Sequence, residues 1–134
     1  MAKLPKEFQF LDLSDYGRPA GHWIAKRFQN TTVTPIHVTT MFVITGLLSV
    51  GFMIIEYYVT AAFFIILKSI LDAADGELSR LKNTPSYVGR YYDSIADFLL
   101  NFCFLSTFCY LSQSSIFLML LAFIGIQMQG TVFN

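Results

Sequence analysis

The chain has 134 residues, 54% hydrophobic and 16% aromatic, with 13% charged and a formal net charge of zero. A soluble domain carries about 25% charged residues, so this composition excludes a water-soluble globule; the 14 Phe and 7 Tyr exclude a disordered chain, and two Cys exclude a disulfide scaffold. Nothing in the charge balance points to nucleic acid, and the length suits one domain with about four spanning helices of roughly 20 residues each.

The opening MAKLPKEF lacks the apolar run and cleavage site of a signal peptide, and residues 1–35 are too polar to span a bilayer. Trp23, Ile24 and Phe28 beside Lys26 and Arg27 predict a short helix lying on the membrane interface. Thr34 then suits an N-cap and Pro35 a helix start. Hydrophobic stretches follow at 36–55, 57–74, 91–112 and 115–131. They are separated at Glu56-Tyr57-Tyr58, by a polar stretch around 76–90, and at Ser112-Gln113-Ser114-Ser115. The fold expected is an all-α integral membrane protein with about four transmembrane helices and an N-terminal interfacial helix.

Charge sets the orientation. Lys3, Lys6, Arg18, Lys26 and Arg27 form one basic cluster, and Lys68, Arg80, Lys82 and Arg90 form a second. Cytoplasmic loops are enriched in Lys and Arg, so both clusters belong on the cytoplasmic side, with two spans between them. The connections near 56 and 113 carry neither residue. The expected localisation is multi-pass, with the N-terminus inside.

The informative stretch is LDAADGELSRLKNTPSYVGRYYDSIADFLLN, residues 71–101. Asp72 and Asp75 close the second hydrophobic helix, and Asp93 and Asp97 open the third. Spacings of three and four put each pair on one helix face. The two helices are expected to be antiparallel neighbours joined on the cytoplasmic side, so that the pairs face each other. Four carboxylates that close cannot all stay ionised without a counter-charge. Hard oxygen ligands favour Mg²⁺, Mn²⁺ or Ca²⁺. Gly76 reads as a glycine turn that lets a ligand approach the backbone. Arg80 is suited to clamping phosphate oxygens. Together these residues read as a site for metal-assisted phosphoryl-type transfer at the cytoplasmic face.

The order Asp72-x2-Asp75-Gly76-x2-Ser79-Arg80-x8-Gly89-x3-Asp93-x3-Asp97 resembles the signature of the CDP-alcohol phosphotransferase family, D-x2-D-G-x2-A-R-x8-G-x3-D-x3-D, with Ser79 in place of alanine. Upstream, Thr34-Pro35-Ile36-His37-Val38-Thr39 resembles, more weakly, the family's Pro-Asn-x-x-Thr helix entry, with Ile36 where Asn is common.

The resemblance implies a transferase of substituted phosphate groups, active in phospholipid biosynthesis. It would move a phosphatidyl or phospho-alcohol group from a CDP-linked donor such as CDP-diacylglycerol to an acceptor alcohol, releasing CMP. Asp72, Asp75 and Asp93 would hold a pair of Mg²⁺ or Mn²⁺ ions. Asp97 would complete the metal site or deprotonate the acceptor hydroxyl. Gly76, Ser79 and Arg80, with Asp72, would contact the CDP moiety, and Gly89 would let the third span start against the nucleotide. A homodimer is implied by the same analogy. Residues 1–35 would be a cytoplasmic or interfacial segment and 36–134 the transmembrane catalytic domain. Family members typically have six spans, so the chain reads as the first part of such a bundle, truncated at its C-terminus.

The remaining polar residues read as supporting ones. Lys68 suits a partner for Asp72 or a snorkelling side chain, and Lys82 a solvated loop. His22 and His37 suit interfacial hydrogen bonds, and Cys103 and Cys109 packing. The alternative functions are a divalent-cation transporter, since intramembrane carboxylates mark ion paths, and an inactive truncated partner subunit.

Overall fold

Thr34 starts the bundle. Its side chain accepts from the His37 backbone N–H while the His37 ring bonds back to the Thr34 backbone, a reciprocal capping box that opens a helix with Pro35 in its first turn. The computed structural model describes residues 17–113 and 115–132. Lys3, Lys6, the MAKLPKEF opening and Ser114 lie outside the described residues. Among the described residues five helices follow one another: α1 (Gly17–Phe28), α2 (Pro35–Ile54), α3 (Tyr58–Leu81), α4 (Tyr87–Leu111) and α5 (Ile116–Val132). Among the described residues, α2 and α4 are long and apolar enough to cross a membrane, and α5 adds a shorter apolar helix.

The polar stretch around 76–90 is more helical than expected. α3 runs on past 74 to Leu81, and α4 begins at Tyr87, capped by the Ser86 side chain. Gly76 therefore lies inside α3 and makes no turn. The turn falls at Asn83, which takes a left-handed conformation (φ 50°). Asn83 N–H donates to the Arg80 carbonyl and Thr84 N–H to the Ser79 carbonyl, closing the helix end in a Schellman arrangement. Asn tolerates that conformation better than most side chains, and Pro85 just beyond stops the helix from resuming.

α2 is the central element, in backbone contact with both α3 and α4. Val38 and Phe42 on α2 are fully buried and pack with Leu71, Ala74 and Leu78 of α3 and Ala96 and Leu100 of α4. A methyl group at Gly46 would lie 2.6 Å from Leu100 Cδ1, so glycine sets how closely α2 and α4 approach. On the other side, Ser49 donates its hydroxyl to the Ala61 carbonyl at 2.7 Å, stitching the α2–α3 hairpin.

The sequence suggests α3 and α4 as packed neighbours, but among the described residues their backbones make no contact. α2 fills one side of the pair, and the two helices meet through side chains alone. α1 docks on α3 by an edge of small residues, Gly17, Gly21 and Ala25, all buried. A methyl at Gly21 would come within 3.0 Å of the Ala73 Cβ and the Ala74 nitrogen. Trp23 points outward, 70% exposed. Among the described residues α5 contacts α4 alone, with Phe123 set edge-on against Phe98 and Phe102.

Candidate active site

The gap between α3 and α4 is lined with charge. One carboxylate oxygen each from Asp72, Asp75 and Asp93 lies within 4.8 Å of the others. The three-residue spacing on α3 puts Asp72 and Asp75 on the face turned to α4. α2 supplies the support: Thr39, itself buried, donates its hydroxyl to Asp75 Oδ2 at 2.7 Å while also lying 3.1 Å from the Pro35 carbonyl. Three helices thus converge on one carboxylate group.

The donor set fits a divalent cation. It is all hard oxygen, the preference of Mg²⁺, Mn²⁺ and Ca²⁺. Asp93 Oδ1 is buried without a hydrogen-bond partner, and a buried carboxylate oxygen left in that state is costly unless a cation or donor meets it.

Asp97 neighbours the three without being one of the group. Its Oδ1 accepts from Lys68 Nζ at 2.7 Å, and the same ammonium lies 4.8 Å from the centroid of the Phe42 ring. Lys68 therefore makes its hydrogen-bonded ion pair across the gap with Asp97, while its charge also acts on Asp72 along its own helix. Lys68 thus lies across from Asp97, with the three-aspartate group on the loop side of the pair.

The residues assigned to the nucleotide lie on the loop side of this group. Gly76 sits beneath the Arg80 guanidinium, where a methyl would lie 3.8 Å from Nη1. The Ser79 hydroxyl donates to the Gly76 carbonyl at 3.0 Å, so in this structure it serves its own helix. Ser79 and Arg80 line a groove of about 350 Å³ with Asn83 and Pro85. Gly89 donates its N–H to the Ser86 cap at 3.4 Å and lies beside the Ile36 side chain.

Arg80 is not idle. Its Nε and Nη2 donate to Glu77 Oε2 at 3.1 and 2.6 Å, and Glu77 Oε1 lies 3.0 Å from His22 Nδ1 on α1. Glu77 belongs to the polar extension of α3. Arg80 and then His22 hold its carboxyl below the usual carboxylate range. Lys82 is likewise engaged: instead of standing in a solvated loop, it donates to the carbonyls of Thr31 and Val33 at 2.7 Å each, tying the end of α3 to the segment before α2.

Sequence reasoning gave no role to Thr39 or Glu77. Thr39 falls at the threonine of the Thr34–Thr39 resemblance, which was the available signal. For Glu77 the three-residue spacing to Arg80 was the available signal, while its other partner, His22, comes from α1.

The family model for CDP-alcohol phosphatidyltransferase matches residues 32–134, covering the three aspartates, their threonine support and the arginine. The chain belongs to the CDP-alcohol phosphatidyltransferase family. A search of curated proteins finds no significant match.

Proposed function

We propose that the chain is an integral membrane enzyme that transfers a phosphatidyl or phospho-alcohol group from a CDP-linked donor, such as CDP-diacylglycerol, to an acceptor alcohol, with release of CMP. The observation that carries this reading is the carboxylate group of Asp72, Asp75 and Asp93 across the α3–α4 gap, with Asp93 Oδ1 buried and unpartnered. Membership of the family supplies the substrate class.

In this reading the hydrophobic stretches within α2 to α5 are the spans, residues 36–134 form the catalytic domain, and the polar loop end of α3 and α4 lies outside the bilayer on the cytoplasmic side. α1 stands at that boundary with Trp23 turned outward. Asp72, Asp75 and Asp93 would hold a pair of Mg²⁺ or Mn²⁺ ions, whose charge neutralises the donor diphosphate. Arg80 exchanges part of its contact with Glu77 for phosphate oxygens, and the groove beside Ser79 receives the nucleotide. Gly76 keeps the α3 surface open beneath the guanidinium, and Gly89 keeps α4 slim where the nucleotide lies.

Asp97 takes the proton of the acceptor hydroxyl. The freed oxygen forms a bond to the β-phosphorus, and the bond from that phosphorus to the bridging oxygen breaks. CMP departs with the electron pair, and the product is a phosphodiester. The enzyme works as a homodimer in this reading, by analogy with the family.

The test is CMP release by membranes holding this chain, supplied with CDP-diacylglycerol, Mn²⁺ and a pool of acceptor alcohols, beside an Asp97→Asn control. Metal-dependent CMP that vanishes in the control is the expected result. Equal CMP from both, or none across CDP donors and acceptors, overturns the reading.

A further inference from the structure

Asp93 and Asp97 are four residues apart on one face of α4, about 6 Å along the axis, so Asp97 stands roughly one turn from any cation that Asp93 helps to hold. Only Asp93 belongs to that group. What distinguishes Asp97 is Lys68. The ammonium reaches across from α3 to Asp97 Oδ1 at 2.7 Å and lies 4.8 Å from the centroid of the Phe42 ring, contributed by α2. A carboxylate and an aromatic face from two other helices hold the charge in place. The Lys68 side chain is 13% exposed and that of Asp97 39%, so Asp97 keeps an accessible side while its inner oxygen is held.

We infer that Lys68 is a positioning residue that withholds Asp97 from the metal site and so reserves it for the acceptor proton. This rests on the transferase reading above. A carboxylate bound to a divalent ion shares its charge with that ion and makes a poor proton acceptor. A chain that needs three ligands and one base from four similar aspartates must keep the fourth from drifting to the strongest local cation. Lys68 offers a competing cation one turn away, on the helix opposite. Lys68 is four residues before Asp72 on α3 and Asp97 four residues after Asp93 on α4, so the base and its holder both lie beyond the three-aspartate group on the side away from the loop.

The experiment measures Mn²⁺ affinity by electron paramagnetic resonance, together with CMP release, for the full chain and for Asp97→Asn, Lys68→Met, Lys68→Arg and the Lys68→Met/Asp97→Asn double variant. Asp97→Asn is expected to bind Mn²⁺ within about twofold of the unmodified chain, since Asp97 is not a ligand while Lys68 is present. Lys68→Met is expected to bind Mn²⁺ at least fivefold more tightly, because Asp97 is released to the metal, and to lose at least tenfold in kcat with little change in the donor KM. Lys68→Arg keeps a cation opposite Asp97 and should restore both readouts most of the way. The gain in affinity should disappear in the double variant.

A tenfold loss of Mn²⁺ affinity in Asp97→Asn overturns the inference even if Lys68→Met fails to insert. Unchanged affinity in Lys68→Met, or a gain that persists in the double variant, overturns it as well. An unmodified chain that binds Mn²⁺ but releases no CMP counts against the transferase reading, and the affinity comparison still decides whether Lys68 keeps Asp97 off the metal.

Discussion

Thr39 on α2 donates its hydroxyl to Asp75 on α3 at 2.7 Å, with both residues buried. The bond makes α2 a structural partner of the carboxylate group as well as the centre of the bundle. Thr39→Val keeps the shape and deletes the donor. Hydrogen bonds to charged groups contribute about 1.5–3 kcal/mol, so this variant should lose stability on that scale and bind Mn²⁺ more weakly. Thr39→Ser should retain most of both. Thermal unfolding in detergent with a parallel metal titration separates the two effects.

Divalent ions should stabilise the folded chain as well as activate it. A ligand present at 100 times its dissociation constant adds about 2.7 kcal/mol to folding stability. Chelation with EDTA is expected to abolish CMP release and lower the unfolding temperature, and added Mn²⁺ to restore both. Asp93→Asn should blunt the thermal response to Mn²⁺, since it alters the carboxylate that has the unpartnered buried oxygen.

The seat of α1 on α3 allows no larger side chain at Gly21, where even a methyl would come within 3.0 Å of backbone nitrogen. Overpacking of this kind costs about 1–3 kcal/mol. Gly21→Leu should lift α1 from α3, break the His22–Glu77 contact and speed trypsin cleavage at Lys26 and Arg27. Cleavage at an unchanged rate would show that α1 is held by other means.

The same contact gives α1 a pH dependence. The Glu77 carboxyl is held below its ordinary 4.5 by Arg80 and His22. A carboxylate with a depressed folded-state pKa contributes stability that is full above the unfolded value and is lost as pH falls through the folded one. Attachment of α1 should therefore be unaffected by pH down to about 4.5 and weaken below it. Because the contact is largely exposed, the effect should be modest. Glu77→Gln should remove this acid-side step in tryptic accessibility, and a step of the same size in the variant would assign it to another group.

The parts of the site legible in the sequence are those encoded by local periodicity. Asp72 with Asp75, and Asp93 with Asp97, fall at helical spacings, and the Thr34-Pro35 helix start follows from capping chemistry. What was not legible depends on which helix lies beside which. Lys68 is four residues from Asp72, the spacing of an intrahelical pair, yet its hydrogen-bonded partner is 29 residues away on α4. Thr39 meets Asp75 only because α2 packs against α3. Gly76 looked like a turn because glycine is a poor helix former, but its neighbours continue the helix and the turn forms at Asn83 instead. The small-residue edge of α1, spaced by four at Gly17, Gly21 and Ala25, was visible in principle. It gains meaning only once a second helix is laid against it.

Among the described residues the backbones of α3 and α4 make no contact, which bears on what can enter between them. Any crevice that opens there would be walled by Asp72, Asp75, Asp93, Asp97 and Lys68 and hostile to hydrocarbon, since an acyl chain would strand charges away from any polar partner. An amphipathic molecule can therefore place only its polar end in the crevice. Its tails must lie along the outer surfaces of the bundle, where Ile44, Leu47, Phe98 and Leu99 are exposed. The division between crevice and flank sorts the two ends of such a molecule by solubility alone, before any specific contact recognises it.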